Sequence, residues 1–186
     1  MKKLILSIAV FCLAFQFAQA QRFSPHVDLN FGIGVLPTFV KDQGKAIILP
    51  LSLTADYKFT KNFSLGVAAS YSVTESGVHQ YQDGSTAQWQ NSFSTVTLRA
   101  AAHSSLLNEC WNIYGGLNVG YTNSNIDMLQ GTEEKVKAMR GIGRTTSNFL
   151  YTAFLGTRYC LGEKIGLFGE VGFGVSLATV GVSIRL

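Results

Sequence analysis

Residues 111–122 have the sequence WNIYGGLNVGYT, in which apolar residues alternate with small or polar ones. Its odd positions carry Trp, Ile, Gly, Leu, Val and Tyr, and its even positions carry Asn, Tyr, Gly, Asn, Gly and Thr. Successive side chains of a β-strand point to opposite faces of the sheet. The stretch therefore predicts a strand with one apolar face and one face of mostly small or polar residues.

The same alternation recurs along the chain, and no segment has a convincing helical period. The further predicted strands are 26–36, 47–58, 63–74, 93–104, 148–160, 165–176 and 179–186. The connections at 60–62, 106–109, 161–164 and 177–178 are short, and those at 36–45, 75–91 and 123–147 are longer. An even number of strands, with tight turns on one side and mostly long loops on the other, is typical of outer-membrane barrels. We predict an all-β, eight-stranded antiparallel up-and-down transmembrane β-barrel.

The N-terminal twenty residues have the composition of a secretory signal. Lys2 and Lys3 precede an apolar run, and Ala18-Gln19-Ala20 supplies the small residues that a signal peptidase requires. The run is shorter than the ~20 apolar residues of a spanning helix. We predict a cleaved signal peptide over 1–20 and a barrel domain over 21–186. Lipidation at Cys12 is the alternative, but the residues before it are not the small ones usual next to an acylated cysteine.

Glycine on the less apolar face distinguishes a membrane barrel from a soluble β protein. A solvent-facing surface would be rich in Lys and Glu, whereas the interior of a narrow barrel needs small residues beside a few large ones. The glycines on this face are Gly32, Gly34, Gly66, Gly116, Gly120, Gly156, Gly166, Gly172, Gly174 and Gly181. Pro50 lies inside the second predicted strand and lacks an N–H for the ladder, so we expect irregular pairing there.

The charge of the chain excludes one class of partner. The chain has 15 basic and 11 acidic residues, and 13 basic residues remain without Lys2 and Lys3. These charges form no basic stripe and no run of one sign. Nucleic acid is therefore not an expected partner.

The signal ending at Ala20, the eight alternating stretches and the last strand, 179–186, resemble the small OmpA/OmpX-type outer-membrane β-barrel family. The resemblance implies a location in the cell outer membrane, contact with its lipid, and insertion by the barrel-assembly machinery. Members usually end on an aromatic residue, where this chain has Leu186.

Two cysteines remain after the signal. Cys110 opens the fifth strand and Cys160 closes the sixth, at the periplasmic ends of neighbouring strands. An oxidising periplasm favours a disulfide between them, which in the chain-entropy model contributes ~4 kcal/mol for a loop of about fifty residues. Two unpaired thiols in a shifted register are the alternative.

Charged residues on the inward face must pair, because burial of an isolated ion is costly. Arg185 and Asp28 share a height across the closing seam, and Arg99 and Glu170 lie nearer mid-height. We predict a lumen filled by salt bridges, with an ion pathway as the alternative. The predicted network is Asp28, Asp56, Arg99, Arg158, Glu170 and Arg185.

His103, Ser105 and Glu109 invite an enzyme hypothesis, because their order is similar to the His-x-Ser and acid of outer-membrane lipid A deacylases. They run into a predicted periplasmic turn, whereas lipid A lies in the outer leaflet, so a chance motif is the better explanation. The histidines and cysteines have no metal-binding spacing, and we expect no cofactor.

Aromatic residues on the outward face gather near both ends of the strands, as in the interfacial girdles of membrane proteins. They are Tyr57, Phe59, Phe63, Trp111 and Tyr159 at the periplasmic side, and Tyr71, Tyr121, Phe149 and Tyr151 at the other. The 123–147 loop contains charges of both signs and is where an extracellular ligand is expected.

The favoured function is a non-enzymatic integral outer-membrane protein with a structural or surface-interaction role and a plugged lumen. A narrow porin-like channel for small solutes is the second hypothesis, and a lipid A deacylase-like enzyme is the third.

Overall fold

The computed structural model describes residues 23–38, 44–80, 84–108, 110–131 and 145–186, with backbone alone for 105–108. The predicted signal peptide, 1–20, lies outside the described residues. The described residues contain no helix long and apolar enough to cross a membrane. Their strands, in chain order, are β1 His26–Gly34, β2 Lys45–Lys58, β3 Phe63–Glu75, β4 His79–Gln80, β5 Thr86–Asn108, β6 Trp111–Gln130, β7 Thr145–Cys160, β8 Ile165–Gly172 and β9 Ala178–Arg185.

Eight of these strands close into an antiparallel barrel. Each pairs with its neighbour along the chain, β3 pairs with β5 across the two-residue β4, and β1 pairs with β9 to close the circle. Beside this seam the Leu186 N–H donates to the Val27 carbonyl at 2.9 Å. The predicted eight-stranded up-and-down barrel is confirmed. We call the end with these chain termini and the 60–62 and 161–164 turns the inner end, and the opposite end the outer end.

The alternation of the sequence sorts side chains to the two faces as predicted. On β5, the Leu98 side chain is 69% exposed on the outside, whereas Arg99 is 3% exposed inside. The aromatic residues expected in the two girdles are all exposed on the outside. Within them, Trp111 and Tyr159 pack edge to face, as do Tyr121 and Phe149.

The strands β5 and β6 are longer than the sequence predicted. They have 23 and 20 residues, about twice the 9–11 that a tilted crossing needs. The expectation that 75–91 and 123–147 are loops was therefore wrong at 86–91, 123–130 and 145–147. The outward positions of β5 and β6 become mostly polar beyond Val96 and Tyr121. A ladder needs only backbone hydrogen bonds, so it continues through these polar residues.

The outer parts of β4, β5 and β6 form an extension with its own small core. Ala87, Trp89 and Ile126 are buried there, and Met128 packs against them. His79 of β4 stacks on the Trp89 ring at a centroid distance of 5.0 Å. We call these strand ends, residues 79–80, 86–92 and 124–130, the outer extension.

Pro50 interrupts the pairing of β2, as predicted. The register between β2 and β3 shifts between Ala46 and Ile48 and again between Ile48 and Leu51. On the other side, the β1–β2 ladder ends at Ile33 and Leu51. At Pro50, therefore, neither β1 nor β3 pairs with β2, and the N–H that proline lacks is not required for a ladder hydrogen bond.

The predicted strand 165–176 is shorter in the structure, because β8 ends at Gly172. The following residues turn toward the β1–β2 connection, where Ser176 forms a bridge with Pro37. Val175 was expected on the outer face beside Phe173, but it is buried. The strict alternation fails here because the chain leaves the ladder and its side chains no longer alternate.

Inward glycines make room for large rings. A Cβ on Gly32 would lie 2.9 Å from Phe168 Cζ, and one on Gly181 would lie 2.8 Å from Phe168 Cε1. A Cβ on Gly156 would lie 2.6 Å from Tyr114 Oη. The predicted use of glycine as space for a few large side chains therefore holds at these positions.

Gly156→Ala should destabilise the barrel by about 1–3 kcal/mol, the usual effect of overpacking, because Tyr114 must move. The measurement is the urea midpoint for loss of the heat-modifiable gel band in lipid vesicles. Gly169→Ala is the matched control, since no atom lies within 4 Å of a Cβ there. Equal midpoints for the two variants would contradict the packing argument.

Candidate functional site

Near the inner end, Asp28 lies at the centre of a group of cations. Arg158 Nη1 from the far wall contacts Asp28 Oδ2, and Arg158 Nη2 donates to Asn30 Oδ1 at 2.8 Å. Arg185 Nε lies 3.4 Å from Asp28 Oδ1. Asp28 and Arg185 are register partners across the seam, so their pairing follows from barrel closure. Charge-assisted contacts of this kind stabilise a buried carboxylate.

A second layer lies closer to mid-height and is centred on Arg99. Its Nε lies 3.0 Å from Asp56 Oδ1, and its Nη2 lies 2.9 Å from Glu170 Oε2. The guanidinium also stacks over the Phe154 ring at 4.0 Å. Tyr114 donates its hydroxyl to Glu170 Oε2 at 3.3 Å. Arg99 is therefore held between two acids and an aromatic face.

Asn30 joins the two layers. Its Nδ2 donates to Thr54 Oγ1 at 2.6 Å and to Asp56 Oδ2 at 3.3 Å, while its Oδ1 accepts from Arg158. The polar side chains thus form one network across the lumen. We call it the lumen network: Asp28, Asn30, Asp56, Arg99, Tyr114, Arg158, Glu170 and Arg185.

The structure places all six charged residues singled out from the sequence in this network. They are Asp28, Asp56, Arg99, Arg158, Glu170 and Arg185. Sequence reasoning missed Asn30 and Tyr114, although both have inward parity, because it searched for charge alone. It also missed Lys58, which ends β2 and is buried.

His103 contacts two side chains that are not part of the deacylase-like motif. Its Nε2 lies 2.8 Å from Ser64 Oγ, and its Nδ1 lies 3.0 Å from Asn112 Oδ1. The Ser105 side chain and Glu109 lie outside the described residues. Ser64, His103 and Asn112 have the order of nucleophile, base and orienting group, but Ser64 is 2% exposed inside the lumen. A substrate could not reach its hydroxyl in this arrangement.

Free space in the lumen is unequal on the two sides of the lumen network. Toward the outer end a cavity of about 100 Å³ adjoins Arg99 and Glu170. Toward the inner end, beside Asp28 and Arg158, the cavity is about 10 Å³. A single water needs roughly 10–15 Å³ by this measure. The inner half is therefore nearly filled, and the outer half has room for several waters.

Cys110 and Cys160 lie side by side at the inner end. The Cys160 N–H donates to the Cys110 carbonyl at 2.9 Å, and the next pair along the ladder is Trp111 with Tyr159. Both cysteines are free thiols in this structure, so it does not contain the expected bond. The disulfide stays a prediction.

Two further expectations, the ligand-binding loop and the absence of a metal site, concern residues that the structure describes only in part. The charges of the 123–147 loop, from Glu133 to Arg144, lie in the undescribed range 132–144. Among the residues that are described, no three His, Cys, Asp or Glu side chains are grouped so that they could hold a metal ion.

A family model described as "Outer membrane protein beta-barrel domain" matches residues 4–179. The chain belongs to this family, and it is therefore an outer-membrane β-barrel protein, in agreement with the OmpA/OmpX-type resemblance. No curated protein matches the chain.

Several solved structures of outer-membrane barrels are similar to this chain. OprG from Pseudomonas aeruginosa is 15% identical with a TM-score of 0.55, and the match covers 90% of this chain and 98% of OprG. Neisserial surface protein A is 9% identical with a TM-score of 0.48, covering 87% and 96%. Ail from Yersinia pestis is 14% identical with a TM-score of 0.42, covering 87% and 94%. At 15% identity, the likeness to OprG supports the fold alone.

Arg158→Ala should destabilise the barrel by about 3–5 kcal/mol, because it leaves the Asp28 carboxylate buried without its main partner. Arg185→Ala is the matched control. The Arg185 side chain is 42% exposed, against 8% for Arg158, and exposed pairs contribute about 0–1 kcal/mol. Urea unfolding in vesicles measures both variants. A larger effect of Arg185→Ala would show that the seam, and not the lumen network, anchors Asp28.

Protein purified from the membrane without reductant should contain the Cys110–Cys160 disulfide. A hydrogen-bonded antiparallel pair has its Cα atoms about 5.5 Å apart, within the ~4.4–6.8 Å that disulfides span. The thiols would lose two protons and two electrons to a disulfide oxidant of the periplasm. Intact mass after alkylation measures the bond, with Cys110→Ser as the control. Two alkylated thiols per chain would refute the prediction.

Proposed function

We propose that the protein is a non-conducting barrel of the outer membrane with a structural and surface-interaction role, and that it is not an enzyme. The observation that carries the proposal is the lumen network, in which Arg158 and Arg99 reach buried acids on other strands. An ion crossing the lumen would have to separate these pairs, and breaking a buried pair costs about 3–5 kcal/mol.

A narrow channel for small solutes is the second candidate. The 100 Å³ cavity at the outer end favours it, since a pore needs such an entrance. A channel would also require a passage past Asp28 and Arg158, where the free volume is about 10 Å³. The closed inner half is the reason for preferring the plugged barrel.

Planar-bilayer recording separates the two candidates. The wild-type protein should show no stable conductance, whereas Arg158→Ser with Arg99→Ser should open a small one, because two bulky groups leave the lumen. Leu98→Ser, on the lipid face of the same strand as Arg99, is the control and should stay silent. A stable wild-type conductance would favour the channel.

The enzyme hypothesis receives little support from the lumen chemistry. Ser64 and His103 are within hydrogen-bond distance, but they lie inside the barrel, where no lipid substrate can approach. Their contacts are better explained as part of the interior packing at the inner end.

The outer extension supports the surface-interaction role. It continues the ladder of β5 and β6 outward from the barrel, and its core of Ala87, Trp89 and Ile126 packs the strand ends together. Rigid scaffolds that present loops are a common arrangement for binding. We propose that the 123–147 region, held by this support, binds an extracellular ligand. The other proposed partners are the barrel-assembly machinery and the outer-membrane lipid.

Trp89→Ala should loosen the outer extension and leave the barrel intact, because Trp89 fills the small core while the transmembrane ladder lies below it. Removing a buried Trp costs about 3–5 kcal/mol. Limited proteolysis of whole cells should cleave between 84 and 131 much faster in this variant. Heat-modifiable migration checks the barrel, and Leu129→Ala, an exposed position, is the control. Equal cleavage of both variants would count against a packed support.

A further inference from the structure

The outer half of the lumen is a cavity closed at its base. It measures about 100 Å³, and Arg99, Glu170 and Phe154 lie at its floor. Its wall comes from β2, β3, β5, β6, β7, β8, the segment after β8 and the start of β9. By the measure in which one water needs about 10–15 Å³, the cavity has room for several waters or for a small molecule. Among the described residues, the lumen network closes its inner side.

The wall is rich in hydroxyl groups that the protein leaves without partners. Among the described residues, the side-chain hydroxyls of Ser52, Ser70, Thr97 and Thr179 line the cavity and form no hydrogen bond with protein. Asn118 donates its Nδ2 to Thr152 at 3.4 Å, but its buried Oδ1 has no partner. Each hydroxyl can donate one hydrogen bond and accept others. These groups need partners from whatever fills the cavity.

The charged and aromatic residues that line the cavity limit the class of ligand that it can bind. Its charged lining residues, Arg99 and Glu170, pair with one another at 2.9 Å. An anion would have to compete with Glu170 and Asp56 for Arg99, so the lining offers it no unmatched positive charge. Phe154 and Phe168 add apolar ring surface. Hydroxyls around the wall and apolar rings below suit a neutral molecule with many hydroxyls and some C–H surface.

We propose that the outer half of the lumen is a binding site for a small neutral polyhydroxylated solute, of the size of a polyol or a monosaccharide. The solute enters from the outer side, hydrogen-bonds to Ser70, Thr97 and Asn118, and leaves by the same route, because the lumen network closes the way inward. We expect binding in the millimolar range, because a few hydrogen bonds must offset the cost of association.

The test is an NMR titration of the full barrel in detergent micelles with D-glucose as the probe. The wild-type protein should show saturable shifts of the Thr97 and Asn118 signals in the millimolar range. The double variant Ser70→Ala/Thr97→Val, which removes two hydroxyls and nearly keeps the shape, should bind about tenfold more weakly. Ser94→Ala is the control: it lies on β5 with the outward parity of Val96 and does not line the cavity.

The possible results of this titration distinguish a failure of the solute site from a failure of the proposed function. Unsaturable shifts, or equal binding by the double variant, overturn the solute site and leave the plugged barrel untouched, because conductance tests the latter. Heat-modifiable migration checks that the double variant folds. If it does not, the single variants Ser70→Ala and Thr97→Val replace it, and each should weaken binding about threefold. Unchanged affinity in both single variants overturns the proposal.

Discussion

The pairing of buried charges inside the barrel is the constraint on which the rest of the structure depends. Asp28 and Asp56 are register partners on neighbouring strands, so two carboxylates lie side by side in the lumen. Like charges directly opposite one another destabilise a sheet. Arg158 and Arg99 must therefore reach them from other strands, and this fixes which side chains cross the barrel.

The same constraint divides the lumen into two halves. Arginine side chains occupy the inner half, where Arg158 lies beside the small cavity near Asp28. At mid-height the large rings Tyr114 and Phe168 are admitted because glycines face them. Above the lumen network many of the inward side chains are short hydroxyls, which leave open space. The closed base and the open outer cavity thus have one physical origin, the distribution of large and small inward residues.

Beyond the membrane the ladder continues, but different residues are suited to its outward face. Inside the bilayer most outward residues are apolar or aromatic, because lipid cannot solvate polar groups, and the outward hydroxyl of Thr157 accepts a hydrogen bond from Trp111. The outer extension lies in water, where polar outward residues are tolerated and the burial of a few side chains holds the strands together. Trp89 and Ile126 provide that burial. The two long strands β5 and β6 therefore connect the lipid-facing barrel to a water-exposed support.

The sequence by itself determined the barrel, its strand number and the inward positions of the six charges, because a period of two assigns each residue to a face. It also located the irregularity at Pro50, since a missing N–H has a local effect. Only the tertiary structure decided that Asn30 joins the charge layers, that His103 contacts Ser64, and that Val175 turns inward. These contacts join distant strands, and they depend on register, closure and the available space, none of which a local pattern contains.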